Sequence, residues 1–184
     1  MEDGKSSAQA ATRDYLLTFV QKFGEAPLLN VRGGKLTTYR KLAEAALKQL
    51  GEAIGEKGKE WTADKPLPGG DFPVTGFDDL VALVQEKYSF LDPRHARRLT
   101  RLYGTKAFVL LGDATNSSAL GTLFGDDLYQ IEIDYLIAHE LALTSEDVLW
   151  RRTKKGLWLS AEQADDVKFY MRQNSAVAAS YAAR

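Results

Sequence analysis

The chain has 184 residues, with 24 Lys and Arg against 25 Asp and Glu, and its formal charge of −1 gives no overall pull toward nucleic acid. Hydrophobic residues at 45% and charged residues at 27% are the proportions of an ordinary globular protein, long enough to bury a core without staples. Cysteine is absent, which excludes a disulfide framework, thiolate metal sites and thiol catalysis and suits a reducing compartment.

No uncharged apolar run approaches the roughly 20 residues of a membrane-spanning helix. The opening MEDGKSSAQAATRDY lacks the apolar centre of a signal peptide, so membrane contact is expected to be peripheral or to come from sequence outside these 184 residues. Met1 to Ala11 reads as a poorly ordered polar lead. Tyr15 to Val20 and Leu28 to Val31 are short apolar runs separated by a turn region with Gly24 and Pro27, a β-hairpin with a longer loop. Little else in the chain looks like a strand. A lone hairpin is marginal in water, so this one is expected to belong to a larger sheet.

Gly33-Gly34-Lys35 ends the second strand, and Thr37-Thr38 opens a helix running to Leu50 or Ile54. Its predicted apolar face is Tyr39, Leu42, Ala43, Ala46, Leu47 and Leu50. Gly51 to Gly76, rich in glycine and proline, reads as a linker. Beyond it the pattern is helical. Phe77 to Tyr88 places Leu80, Val81, Val84 and Tyr88 on one side. Asp92-Pro93 is an N-cap followed by proline at the first helical position, and Gly104 closes that helix. A short segment over Lys106 to Leu111 and a looser Gly112 to Gly125 lead to a predicted long helix from Asp126 to Ala142, with Leu128, Ile131, Tyr135 and Ala138 inward. Ser145-Glu-Asp147 caps a short helix ending near Arg152, and Ser160-Ala-Glu-Gln163 is a capping box opening the last helix. The fold class is therefore mainly α: a β-hairpin and one helix over residues 1–55, then an α-helical domain of five or six helices over residues 66–184.

The strand–Gly-Gly-Lys–helix junction is the first candidate for chemistry. Paired glycines let a ligand approach the backbone, the helix start leaves N–H groups unpaired, and Lys35 adds a cation. Such a junction suits a phosphate, a carboxylate or the anionic edge of a reduced flavin; the plainer alternative is a tight turn with a surface lysine. Arg13, just before the first strand, is either a phosphate grip or a solvated arginine. Metal binding is not expected: His139-Glu140 begins like a zincin motif, but Leu143 stands where the second histidine belongs. Serine catalysis and the dinucleotide fingerprint have no motif here. Two basic clusters remain. Arg94, Arg97, Arg98 and Arg101 share one helical face and read as a solvated face. Arg151 to Lys155 lies between Trp150 and Trp158, and is either a membrane- or partner-facing patch or another solvated face; the two tryptophans are expected to pack in the core or between domains. Acidic residues beside both clusters disfavour nucleic acid as a partner.

Thr12-Arg-Asp-Tyr15, Ala26-Pro-Leu-Leu29 and Gly33-Gly-Lys-Leu-Thr-Thr-Tyr-Arg-Lys-Leu-Ala43 closely resemble the aerobic, FAD-dependent glycerol-3-phosphate dehydrogenases. The resemblance continues through Leu67-Pro-Gly-Gly70, Tyr103-Gly104, Phe124-Gly125 and Leu149-Trp-Arg-Arg-Thr-Lys154 with Gly156, and covers essentially everything after the polar lead. It implies that the chain is a C-terminal portion: residues 1–55 the tail of the FAD-binding domain, residues 66–184 the helical C-terminal domain. By the same resemblance Arg13 and Lys35 are substrate-binding, Gly34, Lys35, Leu36 and Thr37 lie beside FAD, and no residue is assigned as catalytic base. The implied reaction oxidises sn-glycerol 3-phosphate to dihydroxyacetone phosphate and passes electrons through FAD to a quinone, with the enzyme peripheral on the cytoplasmic side of the respiratory membrane. The chain alone is expected to be inactive and not to retain FAD. Homo-oligomerisation and contact with an anionic membrane are further expectations. The alternatives are a helical partner- or membrane-surface module without catalysis, and the glycerol-3-phosphate oxidase relative, which delivers electrons to oxygen.

Overall fold

The computed structural model describes residues 14–55 and 58–174; the polar lead and Arg13 lie outside the described residues. The chain divides into two compact units, one ending at Lys65 and one starting at Pro66.

In the first unit, β1 (Tyr15–Val20) and β2 (Leu28–Gly33) pair antiparallel, Tyr15 opposite Gly33 and Val20 opposite Leu28. The strand period of two half-buries Tyr15, Leu17 and Phe19 and exposes Leu16, Thr18 and Val20. The chain then makes a 3-10 turn, Leu36–Thr38, and enters helix α1 (Tyr39–Ile54), which packs on both strands. Only part of the predicted apolar face is covered: Leu42, Ala46 and Leu50 are half-buried, while Tyr39, Ala43 and Leu47 are exposed. One helix lying on two strands offers too little surface to hide a wide stripe. The buried residue of α1 is instead Glu44, whose carboxylate accepts from Thr62 Oγ1 at 2.5 Å, Arg40 at 2.7 Å and Lys41 at 2.9 Å. The Thr62 hydroxyl, followed by Lys41, holds that carboxyl down at about 2.

In the second unit, α2 (Phe77–Lys87), α3 (Pro93–Tyr103), α4 (Ala107–Leu111), α5 (Gln130–Glu140) and α6 (Ala161–Gln173) enclose one core. Val84 from α2 and Tyr88 at its C-terminal cap, Leu99 from α3, Leu111 from α4, Ile133 and Leu136 from α5 and Val167 from α6 are almost wholly buried in it. The caps of α3 and α6 are those read from the sequence. Asp92 accepts from the Arg94 amide at 2.8 Å ahead of Pro93, and Ser160 and Gln163 cap each other's backbone at 3.2 and 2.9 Å. Gly104 ends α3 at φ +55°, where a Cβ would fall 1.9 Å from the Gly69 carbonyl oxygen. That same oxygen accepts from the Thr105 amide at 3.0 Å. The Leu67-Pro-Gly-Gly70 and Tyr103-Gly104 segments are thus two halves of one clasp.

Three expectations are corrected. The helix predicted from Asp126 to Ala142 begins only at Gln130, preceded by a small hairpin of β3 (Leu123–Gly125) and β4 (Leu128–Tyr129). Gly125 at φ +151° and Asp126 at φ +51° turn the chain there, and Asp126 and Asp127, in that turn, both pair with Lys155. Leu128, placed in that helix by the periodicity, is buried from β4. The short helix after α5 is capped from Thr144 rather than Ser145: Asp147 Oδ2 accepts from the amides of Thr144 at 2.8 Å and Leu143 at 3.0 Å, and Asp147–Arg152 winds as a π-helix.

The arginine face is not uniformly solvated either. Arg98 is half-buried and makes a two-pronged bond to Glu132 at 2.8 and 2.7 Å, an ion pair with Asp127 at 2.8 Å and a bond to the Asp127 carbonyl oxygen at 2.9 Å. Tyr103 donates to Glu132 at 2.8 Å, and burial together with that carboxylate raises its phenol well above the usual range. Lys155, 3% exposed, bonds Asp126 at 2.6 Å and also pairs with Asp127, while Arg94 pairs with Asp126. Three cations and three carboxylates thereby balance across α3, the residue 125–127 turn, α5 and the segment after the π-helix. His95 lies beside them, 5% exposed, its ring stacked on Tyr129 at a centroid distance of 5.5 Å. Burial first, then the Arg98 charge, push its pKa below the ordinary 6.5, against the smaller opposing pull of Asp127 and Glu132.

Replacing Arg98 with Met leaves two buried carboxylates short of a cation. The unfolding free energy is expected to fall by about 3–5 kcal/mol in urea titrations; a loss below about 1 kcal/mol would mean the network is effectively solvated. Because folding depresses the His95 pKa, the unfolded chain takes up that proton first as pH falls. Its contribution to stability is full above the unfolded value of 6.5 and is lost as pH drops through 6.5 toward the folded value. Urea midpoints measured between about pH 8 and pH 5 should show this slope, and His95→Phe, which keeps a ring on Tyr129, should flatten it.

Candidate functional site

The hairpin register places the end of β1 beside the glycine turn. Tyr15 lies opposite Gly33, and a Cβ on Gly33 would stand 2.7 Å from the Asp14 carbonyl oxygen, so only glycine permits this approach at φ +73°. Gly34 follows at φ +101°, another left-handed position, and a Cβ there would meet Leu42 at 3.5 Å and Tyr15 at 3.8 Å. The backbone then extends at Lys35 (φ −124°, ψ 153°) and coils into the Leu36–Thr38 turn. Thr38 fastens this turn. Its hydroxyl accepts from the Lys35 amide at 3.1 Å and donates to the Lys35 carbonyl at 3.0 Å, and the Thr38 amide donates to that carbonyl at 3.0 Å.

Of the residues picked from the sequence, Gly34, Lys35, Leu36 and Thr37 are consecutive on this turn. Lys35, Leu36 and Thr37 face solvent, Leu36 at 89% exposure. Arg13 lies outside the described residues. Chemically, two positions without side chains, a helix start and an ammonium make an exposed cationic turn able to receive an anionic edge. The sequence reading named Thr37-Thr38 only as a helix start and missed the clamp. The signal was present: a threonine three residues after the residue it returns to is a side chain–backbone motif of helix starts.

The basic clusters are largely engaged within the second unit. Arg97 bonds Asp78 at 2.7 Å and lies 4.9 Å from the Phe77 ring, and Arg101 lies 5.5 Å from it. Arg151 bonds Asp147 at 2.9 Å, Arg152 donates to the Glu140 carbonyl at 2.9 Å, and Lys154 donates to the Trp150 carbonyl. Trp150 and Trp158, expected to pack in the core or between domains, are not in the core: they are 45% and 70% exposed. Val148 and Leu149 take the inward positions of the π-helix, which leaves Trp150 on its outer side. His139 is exposed and its ring lies 4.8 Å from Tyr135. Among the described residues there is no group of three His, Cys, Asp or Glu able to hold a metal ion, and no helix is long and apolar enough to cross a membrane.

Comparison with known proteins agrees with these motifs. Over 170 residues the chain is 45% identical to the aerobic glycerol-3-phosphate dehydrogenase of Escherichia coli, spanning 92% of this chain and 34% of that protein. It is 46% identical over 162 residues to a glycerol-3-phosphate dehydrogenase of Pseudomonas aeruginosa, spanning 88% of this chain and 31% of that protein. It is also 38% identical over 174 residues to the D-erythritol 1-phosphate dehydrogenase of Brucella abortus, spanning 94% of this chain and 34% of that protein. The chain thus spans about a third of the length of these relatives. Residues 60–174 match the family model for the C-terminal domain of alpha-glycerophosphate oxidase, and the chain belongs to that family.

Proposed function

We propose that this chain is the C-terminal portion of a flavoprotein that oxidises the secondary hydroxyl of sn-glycerol 3-phosphate to the ketone of dihydroxyacetone phosphate, with electrons passing through FAD to a quinone. The observation that carries the reading is the exposed turn from Gly33 to Thr37. The names of the relatives support the same substrate class, a polyol phosphate. The residues present fit a flavin's pyrimidine edge. No side chain rises from Gly33 or Gly34, the following backbone faces outward, and Lys35 and the helix start bring positive potential. Gly34, Lys35, Leu36 and Thr37 would hold that edge, and FAD, when bound, supplies the acceptor for the hydride leaving C2.

The chain's own contribution is electrostatic. Negative charge grows where the hydride arrives, and a preorganised ammonium and helix N-terminus stabilise it without reorganising. Arg13 grips the phosphate dianion, an attraction that strengthens once water is excluded. The hydroxyl proton goes to a base outside the residues assigned here. The test joins the chain to the part of the Escherichia coli relative that it does not cover. The 184-residue chain alone should retain no flavin and reduce no dye with glycerol 3-phosphate. The joined polypeptide should reduce dye, and Lys35→Ala should lower kcat about 10²-fold. Turnover by the chain alone would overturn its assignment as a portion of the enzyme. Peroxide formation would make oxygen the acceptor, and preference for erythritol phosphate would change the substrate.

A second reading rests on the exposure of Trp150 and Trp158 among Arg151, Arg152 and Lys154. Indoles flanked by cations suit the interfacial zone of a bilayer, so this face is the proposed peripheral contact with an anionic membrane. Since these cations already have intramolecular partners, the indoles should carry most of the attachment. In sedimentation with vesicles containing phosphatidylglycerol, Trp158→Ala and Trp150→Ala should reduce binding more than Arg151→Glu. Absence of binding at low salt would remove this reading.

A further inference from the structure

We infer that Thr38 is the positioning residue for Lys35: its hydroxyl locks the lysine's backbone on both sides and so aims the ammonium from the turn. The inference rests on the reading of Lys35 as a site residue and adds to it a residue that touches neither substrate nor flavin.

Lys35 follows Gly33 and Gly34, both at positive φ, the two residues of the turn with the greatest backbone freedom. A lysine stem hung directly on such a pair would swing with it, and misplacement by about 1 Å is enough to lose about 10² in rate. What restrains it lies downstream. The Thr38 hydroxyl takes the Lys35 N–H at 3.1 Å and returns its own proton to the Lys35 carbonyl at 3.0 Å, closing two rings around one residue. The Thr38 amide adds a third bond to that carbonyl at 3.0 Å, which does not depend on the side chain. Thr38 is half-buried while Lys35, Leu36 and Thr37 are exposed, so the clamp sits under the turn and leaves its outer surface clear. Leu36 and Thr37 lie within the ring that Thr38 closes, so the same hydroxyl also fixes the stretch proposed to face the flavin edge.

The test combines substitutions at Thr38 and Lys35 with amide exchange, thermal midpoints and steady-state kinetics. Thr38→Val keeps the branched shape and removes the hydroxyl, and Thr38→Ser keeps the hydroxyl. In the 184-residue chain, exchange of the Lys35 amide hydrogen is expected to quicken at least about tenfold in Thr38→Val and to stay within about twofold in Thr38→Ser, with thermal midpoints recorded for both. In the joined polypeptide, Thr38→Val is expected to lower kcat about tenfold with little change in KM, and Thr38→Ser to restore it. In a Lys35→Ala background Thr38→Val should be silent, because the group it aims is gone. An equal loss in both backgrounds, a Thr38→Ser variant as poor as Thr38→Val, or unaltered Lys35 exchange would each overturn the inference and leave Lys35 in place. A Lys35→Ala variant with full activity would overturn the site reading itself, and this inference with it.

Discussion

A guanidinium drawn most of the way out of water must be met on its edges, and the half-buried Arg98, held against the buried Asp127 and Glu132, imposes that condition on the helical unit. Glu132 on α5 meets two of its nitrogens, and Asp127 meets the third and adds its backbone carbonyl. Asp127 can reach Arg98 only because Gly125 and Asp126 turn the chain sharply before α5, so the ion pair and the broken helix have one cause. The same two aspartates receive Lys155, which brings the end of the π-helical segment back to the turn. Tyr103 completes Glu132 from the last turn of α3. Remove the arginine and four separate pieces of backbone lose the reason for their placement.

That network also marks the boundary of what a sequence discloses. Caps were legible because they act over three or four residues: Asp92-Pro93 and Ser160 to Gln163 do in three dimensions what their spacing suggests. The hairpin and the main buried positions of α2 followed from period alone. Arg98 was not legible, since four arginines at helical spacing look alike until the partners of one of them, about thirty residues away, are brought in. Asp126 and Asp127 resembled a helix start for the same reason. Acidic residues ahead of a periodic stretch are a good local signal, and tertiary charge pairing overrode it. Of the two places expected for the tryptophans, the core is already taken at Trp150: large apolar area is a prior for burial, but the smaller Val148 and Leu149 fill the inward positions.

The candidate site divides along the same line. Its glycines and lysine could be picked out from composition, and its cationic character from the helix that follows. The close approach of Gly33 to Asp14 depends on strand register, and the choice between two adjacent threonines depends on which one points back. The Glu44–Thr62 contact, which holds the far side of α1, joins residues across a stretch that reads only as linker.

The hairpin carries one more consequence. Among the described residues each of its strands has a neighbour on one side only, and Leu16, Leu28 and Val31 stand 49%, 57% and 48% exposed along it. Unsatisfied amides and carbonyls edged with aliphatic side chains form a ready template for an incoming strand, and nothing in this stretch of β1 carries the lysine or proline that blunts such borders. Handled by itself, the protein should behave as a sticky particle whose self-association climbs with concentration. In a longer polypeptide those raw borders are where a wider sheet would grow.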